Sequence, residues 1–342
     1  MAVREHADDV APAGLLTGDT LFLGDVGRPD LLGAAGRTPE QMARELYRSL
    51  REKILPYPDQ VKIYPGHGAG SACGKALSQE TVSTLGEQRA GNYALAEMAE
   101  DDFVAAVTDG LGEPPEYFAQ EVEVNRQGHV SFDPDAEVPD LTAAEAVRRQ
   151  REGALLLDVR DDQTFSAGHL AGSVNVGLSG RFAEFAAAVR APDQPVMLVG
   201  APAEVTEARL RLARVGIDAV VGAFTELHRM STDSDLVTTQ SRLTARQAAE
   251  VLVRVDGVQV VDVRGPGEFA DGALPRAVNL PLPRLRTRLS ELDPERPVLV
   301  NCAGGYRSSA AASLLRSAGF TDVSDLLGGW NAWQSEQAAT NA

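Results

Sequence analysis

Two stretches of the chain decide its fold: residues 155–176, LLLDVRDDQTFSAGHLAGSVNV, and residues 259–280, QVVDVRGPGEFADGALPRAVNL. Five positions carry the same residue in both stretches, and the two members of each pair are always 104 positions apart. The pairs are Asp158 and Asp262, Arg160 and Arg264, Phe165 and Phe269, Gly168 and Gly272, and Asn175 and Asn279. Because five matches at one separation are not expected by chance, we interpret the stretches as two copies of one domain.

Each copy begins with a helix-start signal, LTAAE at residues 141–145 and LTARQ at residues 243–247. In both, a threonine is followed three residues later by Glu or Gln, which is a capping box. Apolar strands then alternate with helices. Strands that are apolar throughout predict a parallel sheet covered on both faces, so the fold class is α/β and doubly wound. We assign residues 140–232 to copy one and residues 240–342 to copy two.

Residues 1–125 have a different pattern. Short apolar runs predict strands at residues 21–23 and 61–64, and longer periodic segments predict helices at residues 39–55 and 79–100. The following stretch, residues 126–139, is rich in Asp, Pro and polar residues, and we interpret it as a linker.

The composition narrows the functional class. The 342 residues include only two cysteines, far apart in the chain, which indicates reduced thiols in a cytoplasmic protein rather than a disulfide framework. There is no apolar run long enough for a transmembrane helix, and the first residues lack the apolar core of a signal peptide. The net charge of −17 argues against nucleic acid or a membrane as a partner.

The candidate active site is the segment VLVNCAGGYRSS at residues 298–309, which predicts a strand, a tight loop and a helix. The two glycines let the backbone curl so that several N–H groups point inward, and a helix beginning near Ser308 directs its positive end to the same place. Arg307 adds a cation. These groups converge on Cys302 and are expected to lower its pKa from ~8.5 into the range of ~3.5–7.5. The thiolate is then expected to attack a sulfane sulfur and hold it as a persulfide.

Cys-Ala-Gly-Gly-Tyr-Arg-Ser resembles the active-site loop of rhodanese-type sulfurtransferases, and Val-Asp-Val-Arg and Ala-Val-Asn-Leu-Pro-Leu resemble accessory motifs of that family. One departure is that copy two has Gly272-Ala-Leu where the family often has Gly-His-Ile, whereas copy one keeps Gly168-His169-Leu; we expect His169 to be structural. The resemblance implies catalytic roles for Cys302 and Arg307. The implied substrate-binding residues are Ala303, Gly304, Gly305, Tyr306 and Ser308.

The loop length favours sulfur transfer over two alternatives. Four residues separate Cys302 from Arg307, whereas related phosphatases and arsenate reductases have five. The smaller ring suits a single sulfur atom better than a tetrahedral oxyanion. Phosphatase or arsenate chemistry and an inert buried cysteine remain the alternatives.

Copy one is expected to be inactive. Aligning the strands PVMLV and PVLVN places Gly200 at the position of Cys302, and the five residues that follow, APAEV at 201–205, include no cysteine or arginine. Pro202 has no backbone N–H, so it also removes one possible hydrogen-bond donor from a loop that would bind an anion at this position. We expect this copy to act in packing and positioning, with weak ligand binding as the alternative.

The N-terminal region carries two further motifs, TGDTLFLGDVGRPDLLG at residues 17–33 and YPGHGAGSACGK at residues 64–75. They resemble the second half of metallo-β-lactamase-fold enzymes, and the match is closest to persulfide dioxygenases that are fused to rhodanese domains. The resemblance implies the C-terminal half of an αββα sandwich, in which Asp19 is a metal ligand and His67 belongs to the last histidine motif. It also places Arg28 and Asp30 at the active-site rim, with Cys73 as a packed or a substrate-facing thiol.

An iron site of two histidines and one carboxylate is not expected to be complete in this chain. The histidine-rich motif of the family precedes the Thr-Gly-Asp segment, and His6 is the sole histidine before Thr17. A late start codon, a truncated gene or a second complementing chain would each account for this. Asp19 and His67 therefore form a vestigial or incomplete site, which holds Fe(II) or Zn(II) only if the missing histidines are supplied. His129 and His228 are expected to be surface or packing residues.

The leading hypothesis is a sulfurtransferase that moves sulfane sulfur through a Cys302 persulfide, from thiosulfate or a low-molecular-weight persulfide to a thiol or sulfite. Sulfur transfer itself requires no cofactor. The resemblance also implies a homo-oligomer. The first alternative is a persulfide dioxygenase–rhodanese fusion of sulfide detoxification, and the second is a non-catalytic scaffold or sensor that binds persulfide.

Overall fold

The structure is a computed structural model that describes residues 1–31, 36–68, 73–74, 78–109, 132–231 and 234–340. The chain divides into two compact units, residues 1–123 and residues 124–342. None of the helices in the described ranges combines the length and the apolar character needed to span a bilayer.

The first unit is built on a four-stranded mixed sheet. Its strands are β1 (Ala2–Val3), β2 (Gly14–Gly18), β3 (Lys62–Pro65) and β4 (Ser83–Thr84), in that order across the sheet. The central pair β2 and β3 is parallel, and the two outer pairs are antiparallel. The helices are α1 (Pro39–Ser49), which continues into a π-helical turn (Leu50–Ile54), α2 (Leu85–Gly91), a 3₁₀ turn (Tyr93–Leu95) and α3 (Glu100–Thr108). They bury their apolar faces with one face of the sheet in a single core.

Two sequence predictions for this unit are wrong. Residues 21–23 do not form a strand, because Leu21 makes only an isolated bridge to Val26. These residues are apolar since they are buried on all sides. The helix predicted at residues 79–100 is much shorter, because a capping box at Thr84 starts it at Leu85 and Asn92 ends it. The strand predicted at residues 61–64 and the helix predicted from residue 39 are confirmed.

Copy one contains a four-stranded parallel sheet in the order β7-β5-β8-β9. Its strands are β5 (Leu155–Asp158), β7 (Val174–Asn175), β8 (Val196–Val199) and β9 (Val220–Phe224), and β6 (His169–Leu170) pairs separately with β10 (Val237–Thr238). Its helices are α4 (Ala143–Arg151), α5 (Asp162–Ala167), α6 (Phe182–Val189) and α7 (Pro202–Ala213), followed by 3₁₀ turns at Leu227–Ser231 and Ser234–Leu236.

Copy two repeats this arrangement with a five-stranded parallel sheet in the order β11-β15-β14-β12-β13. Its strands are β11 (Ser241–Leu243), β12 (Gln259–Asp262), β13 (Val278–Asn279), β14 (Val298–Asn301) and β15 (Val323–Leu326). Its helices are α8 (Ala245–Arg254), α9 (Pro266–Ala270), α10 (Leu282–Leu285), α11 (Tyr306–Ser317) and α12 (Gly329–Thr340), with a 3₁₀ turn at Arg286–Glu291. The predicted α/β fold with parallel sheets is therefore confirmed.

The recurring residues of the two copies make the same buried contacts. In copy one, Arg160 forms a two-pronged ion pair with Asp158 and donates to the carbonyl of Gly168 at 2.9 Å. In copy two, Arg264 pairs in the same way with Asp262 and donates to the carbonyl of Gly272 at 2.6 Å. The asparagine of each copy donates to the carbonyls of the paired Asp and Arg. Since an unpaired buried charge is costly, these residues recur as a set.

His169 is a structural residue of copy one. Its ring is buried, stacks on Phe165 at 3.7 Å between centroids, and has Nδ1 2.9 Å from the carbonyl oxygen of Phe165. Burial lowers the pKa of His169 from 6.5 to about 4. Between these two values the unfolded chain binds a proton that the folded chain does not bind. Stability contributed by this residue is therefore lost as the pH falls through that range.

We expect this single histidine to remove about 2 kcal/mol of stability when the pH is lowered from 7 to 5. His169→Asn, whose amide can replace the Nδ1 donor, lacks the titrating ring. Urea unfolding of both proteins at the two pH values measures the effect. The variant should lose about 2 kcal/mol less than the wild type over this interval. Equal losses in the two proteins would show that the ring is protonated in the folded state.

Candidate functional site

Cys302 directly follows the buried strand β14, and the short loop of residues 303–305 separates it from helix α11. Its residue surface is only 1% exposed, and its Sγ accepts a hydrogen bond from the Gly305 N–H at 3.1 Å. Gly305 has φ +104°, a conformation that glycine adopts more easily than other residues, and it caps the helix. The helix begins at Tyr306, two residues before the predicted position. The positive end of a twelve-residue helix therefore lies next to the sulfur.

The loop after β14, residues 302–305, which we call the Cys302 loop, is held from outside by the start of α12. The Trp330 N–H donates to the carbonyl of Cys302 at 2.7 Å, and the Asn331 N–H donates to the carbonyl of Ala303 at 3.1 Å. Gly329 makes this approach possible, because a Cβ on it would lie 2.3 Å from the Cys302 carbonyl oxygen. The carbonyl of Cys302 is thus held by α12, while its Sγ is held by the N–H of Gly305 at the start of α11.

A buried polar network lies under the loop. The Ser308 hydroxyl is 3.4 Å from Sγ of Cys302, 3.0 Å from the Gly305 carbonyl oxygen and 3.3 Å from a carboxylate oxygen of Asp325. Asp325 is fully buried, which raises the pKa of its carboxyl, while an ion pair with Arg242 opposes that rise. Ser308 therefore contacts the sulfur from the protein interior.

Arg307 lies at the rim of the loop and forms a two-pronged ion pair with Glu268 of α9, with both N–O distances 2.7 Å. Burial lowers the pKa of Arg307, but the hydrogen bond and charge of Glu268, together with smaller effects of Cys302 and Asp262, raise it, and the net direction is upward. Its hydrogen bond to Arg307 holds the pKa of Glu268 below the usual value. Arg307 is therefore always positively charged, and the carboxylate of Glu268 already offsets part of that charge.

Copy one contacts copy two beside the Cys302 loop, at the first residue of α11 and at β11. The Tyr306 hydroxyl donates to the carbonyl of Gly177, and Tyr306 packs against Phe185 with 5.7 Å between ring centroids. Arg242 of copy two forms an ion pair with Asp325 of the same copy at 3.1 Å and a second ion pair with Asp162 of copy one at 2.9 Å. The Tyr306 side chain therefore belongs to the contact between the copies.

The same face of α11 reaches copy one farther along the helix. The Ser309 hydroxyl donates to Oδ1 of Asn175 at 2.8 Å, and the Asn175 N–H donates to the Ser313 hydroxyl at 2.9 Å. These groups are buried on both sides of the contact. The helix that carries the site is therefore fixed against copy one by satisfied buried hydrogen bonds.

In copy one, the position that corresponds to Cys302 has no room for a side chain. Gly200 follows β8 as Cys302 follows β14, and a Cβ on Gly200 would lie 2.7 Å from a methyl group of Val159. The carboxylate of Glu204 accepts from the Ala201 N–H at 2.7 Å and so occupies the start of helix α7. Copy one therefore has its own carboxylate where copy two has the sulfur.

The candidate metal residues of the first unit lie together. Nδ1 of His67 is 2.9 Å from Oδ1 of Asp19, and the possible ligand atoms of Asp19, His67 and Cys73 all lie within 4.8 Å of one another. Within the described ranges this cluster offers one imidazole, one carboxylate and one thiol. It does not fit an iron site of two histidines and one carboxylate. Arg28 and Asp30 form a nearly buried ion pair at 2.7 Å.

Comparison with known proteins gives the family of the larger unit. The profile of the Rhodanese-like domain matches residues 142–224 and 244–336, together more than half of the chain. The chain belongs to the rhodanese family. Several of its relatives are named sulfurtransferases, which supports this class of activity at the level of the family. The predicted boundaries of the two copies enclose both matched ranges, and the boundaries themselves stay predictions.

Two curated relatives illustrate the similarity. A protein called sulfurtransferase from Allochromatium vinosum is 33% identical over 93 residues, which are 27% of this chain and 87% of that protein. The uncharacterised protein YqhL of Bacillus subtilis is 40% identical over 75 residues, which are 22% of this chain and 60% of that protein. The match to YqhL therefore spans less than two thirds of its length.

The chain is also structurally similar to a solved protein of a second fold, that of the metallo-β-lactamases. A metallo-β-lactamase from Staphylococcus aureus superposes with a TM-score of 0.55 and 32% sequence identity, covering 65% of this chain and 60% of that one. Together with the two rhodanese matches, this similarity fits a fusion of a metallo-β-lactamase fold with rhodanese domains, as the sequence motifs predict.

The predicted site residues are therefore brought together in two places, and their roles stay predictions. Cys302, Gly305 and Ser308 meet at the sulfur, Ala303 and Gly304 lie at the partly exposed mouth, and Arg307 stands at the rim. The motifs of the sequence did not predict four supporting residues: Glu268, Asp325, Arg242 and Gly329. The Gly328-Gly329-Trp330 string was a usable signal for one of these, since paired glycines mark a close backbone approach. His129 lies outside the described residues.

Proposed function

We propose that this chain is a sulfurtransferase that carries sulfane sulfur as a persulfide on Cys302. The observation that supports this most directly is the 3.1 Å hydrogen bond from the Gly305 N–H to Sγ at the start of α11. A backbone donor and a helix N-terminus together stabilise negative charge on sulfur. The proposed donors are thiosulfate and low-molecular-weight persulfides, and the proposed acceptors are thiols and sulfite.

The chemistry balances as two exchanges at sulfur. The Cys302 thiolate attacks the outer sulfur of thiosulfate, an S–S bond forms, and the bond to the sulfonate sulfur breaks as sulfite leaves with its electron pair. An acceptor thiolate then attacks the outer persulfide sulfur, and Cys302 leaves as the thiolate. Neither step changes the overall electron count, so no redox cofactor or metal is needed for transfer. The Gly305 N–H and the N-terminus of α11, which stabilise the thiolate, also stabilise the persulfide anion.

Arg307 supports recognition of an anionic donor. The chain carries a net charge of −17, so attraction of an anion depends on a local cation. Arg307 is partly buried at the rim and is paired with Glu268. A thiosulfate or persulfide anion arriving at the mouth would share the guanidinium with that carboxylate. We propose that Glu268 fixes the direction of Arg307 and that the donor takes part of its hydrogen bonding.

Copy one has a positioning role in this proposal. It lacks a sulfur nucleophile, and the carboxylate of Glu204 closes its own loop. It also supports the region around the Cys302 loop of copy two, through Tyr306 and through the Asp162–Arg242 pair. Catalytic geometry depends on such support, since a displacement of about 1 Å can cost about a hundredfold in rate.

The decisive experiment is detection of the intermediate. After incubation with thiosulfate and removal of small molecules, the peptide containing Cys302 should gain the mass of one sulfur atom, and sulfite should be released in equal amount. Addition of a thiol acceptor should remove the added mass. Cys302→Ser serves as the control and should show no gain. Sulfite release from wild-type protein without a mass gain on the Cys302 peptide would refute the proposal.

A further inference from the structure

The first unit brings together three chemically different ligand groups outside the rhodanese site. A carboxylate (Asp19), an imidazole (His67) and a thiol (Cys73) have ligand atoms within 4.8 Å of one another. The first two are separated by 48 positions in the chain and already touch at 2.9 Å. A thiol and an imidazole beside a carboxylate form a donor set that transition-metal ions prefer.

The sheet explains why Asp19 and His67 meet. Strands β2 and β3 are parallel neighbours, so their carboxyl ends lie side by side. Asp19 directly follows β2, and His67 follows β3 after a single intervening residue, Gly66. The Gly66 N–H donates to the carbonyl of Gly18 at 3.0 Å, which ties the two strand ends together. A Cβ on Gly66 would lie only 3.0 Å from Oδ1 of Asp19, so glycine leaves room for the carboxylate.

Two of the three ligands, Cys73 and His67, are also held by contacts away from the cluster. The Arg28 N–H donates to the carbonyl of Cys73 at 3.0 Å, and the Arg28 side chain is itself fixed by Asp30. The ring of His67 lies against the fully buried ring of Phe22, with 6.0 Å between centroids. Supporting contacts that orient metal ligands are a regular feature of metal sites.

The spacing of these atoms suits a tetrahedral ion. Zinc binds oxygen and nitrogen ligands at about 2.0–2.2 Å and thiolate at about 2.3 Å, so its ligand atoms lie about 3.3–3.8 Å apart. The observed separations, 2.9 Å between Asp19 and His67 and at most 4.8 Å within the cluster, bracket this range. The three ligand atoms therefore lie close to the spacing that a tetrahedral ion requires.

We propose that Asp19, His67 and Cys73 form a three-ligand site for a divalent ion of the zinc class, with Cys73 as a direct ligand. This assignment differs from the two-histidine iron site that the sequence resemblance implies. Asp19 and His67 are 51% and 44% exposed at their side chains, so the fourth coordination position faces solvent. Three protein ligands with one open position is the arrangement of catalytic rather than structural zinc sites.

The test uses Co(II) as the probe, because its spectrum reports thiolate ligation and tetrahedral geometry. The full chain is treated with a chelator, freed of the chelator, and titrated with cobalt chloride under reducing, anaerobic conditions. We expect one Co(II) per chain, a near-ultraviolet thiolate-to-cobalt absorption and intense visible bands typical of four-coordination. Zn(II) should displace the cobalt and abolish both features.

The two cysteines of the chain supply a matched pair of variants. Cys73→Ser should abolish the thiolate absorption and weaken cobalt binding at least tenfold, whereas Cys302→Ser should leave both unchanged. His67→Gln should weaken binding to a similar extent. Far-ultraviolet circular dichroism of each protein checks that it is folded.

Three outcomes would overturn the assignment. They are the absence of stoichiometric cobalt binding, cobalt bound without a thiolate absorption, and an absorption that disappears in Cys302→Ser instead of Cys73→Ser. None of these readouts depends on sulfur transfer, so failure of the metal site and failure of the proposed function are distinguishable.

Discussion

Replacing Cys302 by serine is expected to reduce thiosulfate-dependent sulfur transfer to the uncatalysed background, a loss of at least about a thousandfold. A serine hydroxyl cannot take up sulfur as a persulfide, so the exchange has no intermediate. The Gly305 N–H can still donate to the smaller oxygen at this position. The free energy of unfolding should therefore change by no more than about 1–2 kcal/mol.

The measurement is a steady-state assay with thiosulfate as donor and a dithiol as acceptor, accompanied by urea unfolding of the same preparations. Cys302→Ala is the companion variant, because it removes the thiol without adding a hydroxyl. Both variants should be equally inactive and remain folded. Turnover near the wild-type level in either variant would show that Cys302 is not the nucleophile.

Gly329→Ala is expected to lower sulfur transfer by about a hundredfold although residue 329 does not contact the sulfur. The added methyl group would lie 2.3 Å from the Cys302 carbonyl oxygen and 2.7 Å from the Ala303 carbonyl carbon. Both neighbours are backbone atoms, so the loop or the start of α12 must move. Forcing extra volume into a packed site also costs about 1–3 kcal/mol of stability.

Gly319→Ala is the matched control. Gly319 also has a positive φ, +98°, compared with +57° for Gly329, but a Cβ on it would meet no atom within 4 Å. The control therefore carries the backbone cost of about 1–2 kcal/mol without the collision. We expect it to keep near-normal turnover per folded molecule. If the two variants lost activity equally, the approach of α12 to the loop would have no role in catalysis.

Much of the rhodanese fold could be predicted because its signals are local. Asp262 and Arg264 are two residues apart and pair with each other, and Thr244 caps the helix that follows it. Contacts of this kind leave fixed spacings in the sequence. The first unit was harder to predict, since residues 21–23 are apolar through burial on all sides and not through strand pairing.

The supporting residues of the site could not be predicted in the same way. Glu268 meets Arg307 across 39 positions, and Asp162 meets Arg242 across two copies of the domain. A single sequence contains many glutamates and aspartates, and spacing alone does not show which of them reaches the loop. That choice is made by the order of strands in the sheet and by the packing of the copies.

The sequence by itself determined the duplicated α/β domain, the candidate nucleophile Cys302 and the absence of a cysteine at the matching position of copy one. Each can be read from short motifs, because the residues within a motif lie a few positions apart. Only the tertiary structure decided that Arg307 is paired, that α12 supports the loop, and that Cys73 lies beside Asp19 and His67. These contacts form when distant segments pack together, so their energies depend on a geometry that no local pattern encodes.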